Sequence, residues 1–129
     1  YSRVGSAYPD FHAVAAGKIY LSDMTPEKRH KALAAIGLPP VTENTITDPD
    51  VLEEEIRRIR EKGYAFEDQE LRDGVRRLVA PIYDHANRLA GCVGVAATIF
   101  SLEMDQKEDL AAQVIETAER ISDGMGRSR

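Results

Sequence analysis

The clearest pattern in this chain is the alternation of apolar stripes and charges between Thr47 and Gly63. Leu52, Ile56 and Ile59 recur at helical spacing, and charged residues fill most positions between them, so one face is built for burial and the other for water. Thr47 or Asp48 caps this helix, and Pro49 sits early, where its missing N–H costs nothing. Glu53, Glu54 and Glu55 lie near the start and Arg57, Arg58, Arg60 and Lys62 towards the end, the order that complements the helix dipole. Gly63 stops it.

Two helices are predicted upstream. The first runs from His12 to Ser22 in HAVAAGKIYLS, with Asp10 as its cap and small residues that let the backbone approach a neighbour. The second runs from Pro26 to Ile36, capped by Thr25, with Leu33 and Ile36 on its buried side and Gly37 just beyond. Leu38-Pro39-Pro40 then ends helical structure. Downstream the period changes to that of strands, at Tyr64 to Glu67, Val75 to Tyr83 and Arg88 to Ile99, with His85, Ala86 and Asn87 as a hairpin turn between the last two. A final helix from Met104 to Asp123 carries Leu110, Val114, Ala118, Ile121 and Met125 on a stripe suited to packing on the sheet. Helices, then a largely antiparallel sheet, then a helix make an α+β fold.

At 129 residues the chain is expected to form one domain. No apolar run reaches the roughly 20 residues of a membrane span. The first residues have neither the basic start nor the apolar stretch of a secretion signal, and the single cysteine, Cys92, excludes an intrachain disulfide framework, so a cytoplasmic location is expected. A formal charge of −5, from 22 acidic and 17 basic residues, argues against this segment itself gripping nucleic acid. His12, His30 and His85 are widely separated and Cys92 has no CxxC partner, so neither a metal nor another cofactor is expected. No local motif combines a nucleophile, a base and an orienting group, and no Gly-rich phosphate loop lies between strand and helix, so an enzyme is not expected.

One position stands out against the apolar strand that holds it. Arg77 lies within VRRLVAPIY, where a charge is costly to hide unless an anion meets it. Arg76 and Arg77 point to opposite faces of the strand, as do Glu67 and Asp68, which makes the latter poor partners for acid–base work. Two readings of Arg77 stand side by side: an anchor for a ligand carboxylate, which its planar fork matches, or a salt bridge to Glu67, Asp68 or Glu70 on the neighbouring strand. In the long strand Gly94, Ala96 and Thr98 share one face and Val93, Val95, Ala97 and Ile99 the other, and the small first face leaves room for a ligand. His12 is read as a structural tie from the first helix to the sheet in preference to a hydrogen-bond partner for a ligand, and Cys92 as an inert core thiol.

The segments HAVAAGK (12–18), TITDPDVL (45–52), IRRIREKGYA (56–65) and GVRRLVAPIYD (74–84), in this order, resemble the effector-binding domain of the isocitrate-lyase-regulator (IclR) family of bacterial transcription regulators. The resemblance runs from about Gly5 to Gly126. It implies a GAF-like domain that binds a small organic acid, joined in the full-length protein to an N-terminal winged helix-turn-helix that contacts DNA as a homodimer or homotetramer. That DNA-binding half is absent from residues 1–129, and the effector domain is expected to be incomplete at its N-terminal side. Carried over by motif position, the implied ligand-binding residues are Ala15, Ala16, Glu67, Arg77, Gly94 and Ala96. Arg77 departs from the family, which often has cysteine or another uncharged residue there. A free-standing GAF-type binding or dimerisation module, unconnected with transcription, is the alternative; an upstream winged helix-turn-helix coding sequence decides between them.

Overall fold

The computed structural model describes residues 11–127. A 3-10 turn at Phe11–Ala13 leads into α1 (Ala15–Asp23), followed by α2 (Pro26–Ile36) and α3 (Pro49–Lys62). Strands β1 (Ala65–Asp68), β2 (Val75–Tyr83) and β3 (Leu89–Thr98) form an antiparallel sheet in that spatial order. A second 3-10 turn, Met104–Gln106, opens directly into α4 (Lys107–Gly124). The α+β expectation holds, and β2 has the bounds the sequence predicts.

The sheet separates two cores. On one side Leu78 and Ala80 of β2 meet Tyr64 and the face of α4 carrying Ala111, Val114 and Ala118. On the other, Ala15 and Ile19 of α1 meet Ala65 and Ile59, with Val79 and Cys92 half-buried beside them. Leu21, Leu33, Leu52 and Ile56 join α1, α2 and α3 in a third cluster. Each fully buried Leu or Ile among them contributes about 1.5–3 kcal/mol. Gly63 ends α3 in the left-handed region at φ 84°, and its N–H bonds the Ile59 carbonyl at 2.8 Å.

The structure corrects several local expectations. Ile36, expected on the buried side of α2, is 41% exposed. The stripe of α4 is turned by about one position: Ala111 and Ser122 are buried, whereas Ile121 and Met125 are 37% and 45% exposed. Ser122 faces inward because its hydroxyl accepts the Tyr83 N–H at 3.0 Å, next to the irregular register at Ile82/Tyr83, and donates to the Ala118 carbonyl at 2.8 Å. The first helix begins at Ala15 instead of His12, because Val14 is extended (φ −111°, ψ 132°) and offers no side-chain cap. The expected cap, Asp10, lies outside the described residues. Thr25 caps α2 as predicted, accepting the Lys28 N–H, and Asp48 caps α3.

A nearly buried arginine ties α2 to α3. Arg29 is 4% exposed and donates from Nε and Nη2 to the two carboxylate oxygens of Glu53, both at 2.8 Å, while Nη1 reaches the carbonyls of Leu21 and Met24. The hydrogen bond from Arg29 holds the Glu53 carboxyl below its ordinary pKa, against the opposing effect of burial. A carboxylate depressed in the fold contributes stability that is complete above its unfolded pKa, about 4.3, and lost as pH falls through the folded value. Between pH 5 and 3 the urea midpoint of Glu53→Gln should therefore fall less steeply than that of the native protein, the carboxylate contributing about 1–2 kcal/mol at neutral pH. Parallel slopes in urea titrations at several pH values would refute this.

Candidate functional site

The antiparallel register places the predicted site residues on one sheet face. Glu67 of β1 lies opposite Arg77 of β2, and Arg77 lies opposite Ala96 of β3, while Ala65, Val79 and Gly94 form the next row. This is the face covered by α1, so Ala15 and the strand residues come together across 52 or more positions of sequence.

Glu67 is the centre of the arrangement. Its side chain is wholly buried; Oε1 accepts the backbone N–H of Ala15 at 2.8 Å and Oε2 accepts from Arg77 Nη1 at 2.6 Å. The missing local cap of α1 is thus supplied by a strand carboxylate, which meets an otherwise orphaned donor and the positive end of the helix dipole. Of the two readings of Arg77, the salt-bridge geometry is present, with Glu67 as partner. Arg77 is not sealed by it: its side chain keeps 24% exposure, and among the described residues Nη1 alone donates to a carboxylate. Arg76 points the other way, as alternation requires, and binds Asp68 Oδ1 at 2.8 Å and the Leu102 carbonyl at 2.9 Å. Burial opposes ionisation of Asp68, but hydrogen bonds from Arg76 and Gln69 outweigh it and lower the pKa.

The remaining predicted residues have different surroundings. Ala16 is half-buried in the first turn of α1, and Ala96 is exposed. The room expected beside Gly94 is taken: a Cβ there would lie 2.1 Å from the Leu78 carbonyl oxygen and 2.5 Å from Val79 Cγ1. Glycine at this position permits close approach of β2. Gly94 also lines a shallow groove of about 200 Å³ between β3 and α4, with Val93, Val95, Leu110 and Val114. His12 is buried, but its Nε2 donates to the Pro39 carbonyl at 2.9 Å, so it ties the first turn to the segment after α2 and not to the sheet. Cys92 is half-buried, and burial pushes its thiol pKa up, which favours the protonated form.

Sequence reasoning missed a second ionic tie one helical turn along. Lys18 is fully buried and donates from Nζ to Glu70 Oε1 at 2.6 Å, with Glu55 Oε1 at 3.7 Å. Burial pushes the Glu70 carboxyl above its ordinary range, and Lys18 offsets that only in part. The three-residue offset of Ala15 and Lys18 on α1 matches that of Glu67 and Glu70 beyond it, so the helix is pinned twice to the β1 segment. A lysine three positions after Ala15, on the stripe that also holds Ile19, was the available signal. Among the described residues no group of His, Cys, Asp and Glu could hold a metal ion, and no helix is long and apolar enough to cross a membrane.

Comparison with known proteins agrees with this architecture. The chain is 30% identical over 126 residues to the transcriptional repressor IclR of Escherichia coli K12, covering 98% of this chain and 46% of the relative. It is 32% identical over 114 residues to the HTH-type transcriptional regulator BhcR of Paracoccus denitrificans, covering 88% and 41%. The crystal structure of the Thermotoga maritima IclR superposes with a TM-score of 0.81 at 30% identity, over 90% of this chain and 47% of that one. The chain therefore spans about half the length of the curated relatives it matches. Residues 1–123 match the family described as bacterial transcriptional regulator IclR C-terminal, and the chain belongs to that family.

Proposed function

We propose that this chain is the effector-sensing part of a cytoplasmic transcription regulator, in which a small organic acid binds on the α1 side of the sheet and alters DNA binding by a winged helix-turn-helix elsewhere in the full-length protein. The observation that carries the reading is Arg77: a half-buried guanidinium with donors to spare, beside the exposed Ala96 and backed by Glu67 at the start of α1. The N–H groups of this planar fork that Glu67 leaves free can donate to a carboxylate, each such bond contributing about 0.5–1.5 kcal/mol. The reading is of a sensor and not an enzyme, because the curated relatives are named as regulators.

Ala15, Ala16, Glu67, Arg77, Gly94 and Ala96 remain the proposed ligand-binding set, with Ala96 as floor and Gly94 letting β2 and β3 close beneath it. Control of DNA binding requires that the acid bind more tightly to one arrangement of a homodimer or homotetramer than to another. Arg77→Ala should weaken acid binding about 10- to 100-fold by isothermal titration calorimetry. Unchanged affinity would remove Arg77 as the anchor and leave it a salt-bridge residue.

A further inference from the structure

Glu67 presents a carboxylate to the same arginine that the proposed effector needs. It is buried, and its two oxygens are held apart in function: Oε1 is fixed by the Ala15 N–H at 2.8 Å, and Oε2 takes Arg77 Nη1 at 2.6 Å. Swinging away from Arg77 would leave a buried carboxylate with the helix amide as its remaining partner, which is costly. The pair is also neutral as a unit. An incoming anion therefore meets no net positive charge at Arg77, and feels the like charge of Glu67 a few ångströms behind it.

We propose that Glu67 is a built-in competitor for Arg77, which holds down the affinity for simple acids and selects ligands by what they offer besides a negative charge. This rests on the α1 side of the sheet being the acid site. The neighbouring carboxylates already have their own cations: Asp68 is taken by Arg76 on the opposite face, and Glu70 by Lys18. With Arg77 already neutralised, a carboxylate and its uncharged primary amide should bind almost equally well. Recognition then falls on shape against Ala96 and on the guanidinium N–H groups Glu67 leaves free, which donate to a neutral carbonyl as readily as to a shared carboxylate.

Glu67→Gln separates the two duties of this side chain. A glutamine carbonyl can still accept the Ala15 N–H, whereas its NH2 cannot accept from Arg77, so the guanidinium is released with its charge uncompensated. The measurement is calorimetric titration of the intact protein with monocarboxylates from pyruvate to benzoate, each paired with its primary amide. The native protein should prefer acid over amide by less than about threefold, and Glu67→Gln should raise that ratio to about tenfold or more by tightening acid binding well beyond any change in amide binding. A merely structural Glu67 would weaken both ligands alike, and that result overturns the proposal. A native preference for the acid of about tenfold or more overturns it as well, and this arm needs no variant to fold. If neither acid nor amide binds either protein, the acid-site reading itself falls.

Discussion

Replacing Lys18 with methionine should cost about 3–5 kcal/mol of folding stability, among the largest losses any single surface-preserving change in this chain would cause. The lysine side chain is wholly buried against a Glu70 carboxylate that is itself 10% exposed, so removing the cation leaves a buried acid with neither water nor a counter-charge. Burial already raises the Glu70 pKa with Lys18 in place. In the variant the acid should take up a proton, and the loss should therefore be larger at pH 8 than at pH 5. The sign follows from the raised folded value: stability tied to the protonated carboxyl is complete below the unfolded pKa and is lost as pH rises through the folded one. Adding Glu70→Leu to Lys18→Met should return stability to within about 1 kcal/mol of the native protein, since an apolar pair of similar volume avoids the desolvation of two ions. Urea denaturation at both pH values measures all of this. A single variant that lost less than about 1 kcal/mol would show that water reaches Glu70 and that the tie is weak.

Gly94→Ala should be nearly as damaging, although alanine adds one methyl group to a strand position that is exposed. The new Cβ would stand 2.1 Å from the Leu78 carbonyl oxygen and 2.7 Å from Val79 Cα, both backbone atoms, and 2.5 Å from Val79 Cγ1. Backbone cannot step aside as a flexible side-chain tip can, so β2 and β3 must separate at the Val79–Gly94 pair. A loss of about 3 kcal/mol is expected, at the upper end of ordinary overpacking. The contrast is Ala96→Gly, in the next row of the same face, which should cost about 1 kcal/mol or less. Thermal denaturation of the two variants side by side checks the prediction, and equal melting temperatures would contradict it.

These two positions show where sequence reading stops. Lys18 sits in a segment whose small residues signal close packing, and it is in fact on a helix buried on most sides, where Ala15, Gly17, Ile19 and Leu21 are also hidden. Nothing local distinguishes a lysine that reaches water from one that meets Glu70, since the partner lies 52 residues away. The same holds for the start of α1. Local capping places the cap in the preceding residues, but the N–H is taken by Glu67, 52 residues away. At Gly94 the strand and its alternation were legible, and the small side chain suggested free space; the register with Val79 shows that the space is occupied.

By itself the sequence determined the order and type of the elements, the Thr25 cap, the α3 cap to within Thr47 or Asp48, the Gly63 stop, the face on which each strand residue lies and the family to which the chain belongs. These depend on neighbours within a few residues or on a period along the chain, so they can be read without knowing what packs on what. Only the tertiary structure decided that Arg77 is held by Glu67, that Glu67 caps α1, that Lys18 is buried on Glu70 and that α4 turns Ser122 inward. Each is a pairing of polar groups distant in sequence, and burial makes such pairings obligatory without saying which partner supplies them.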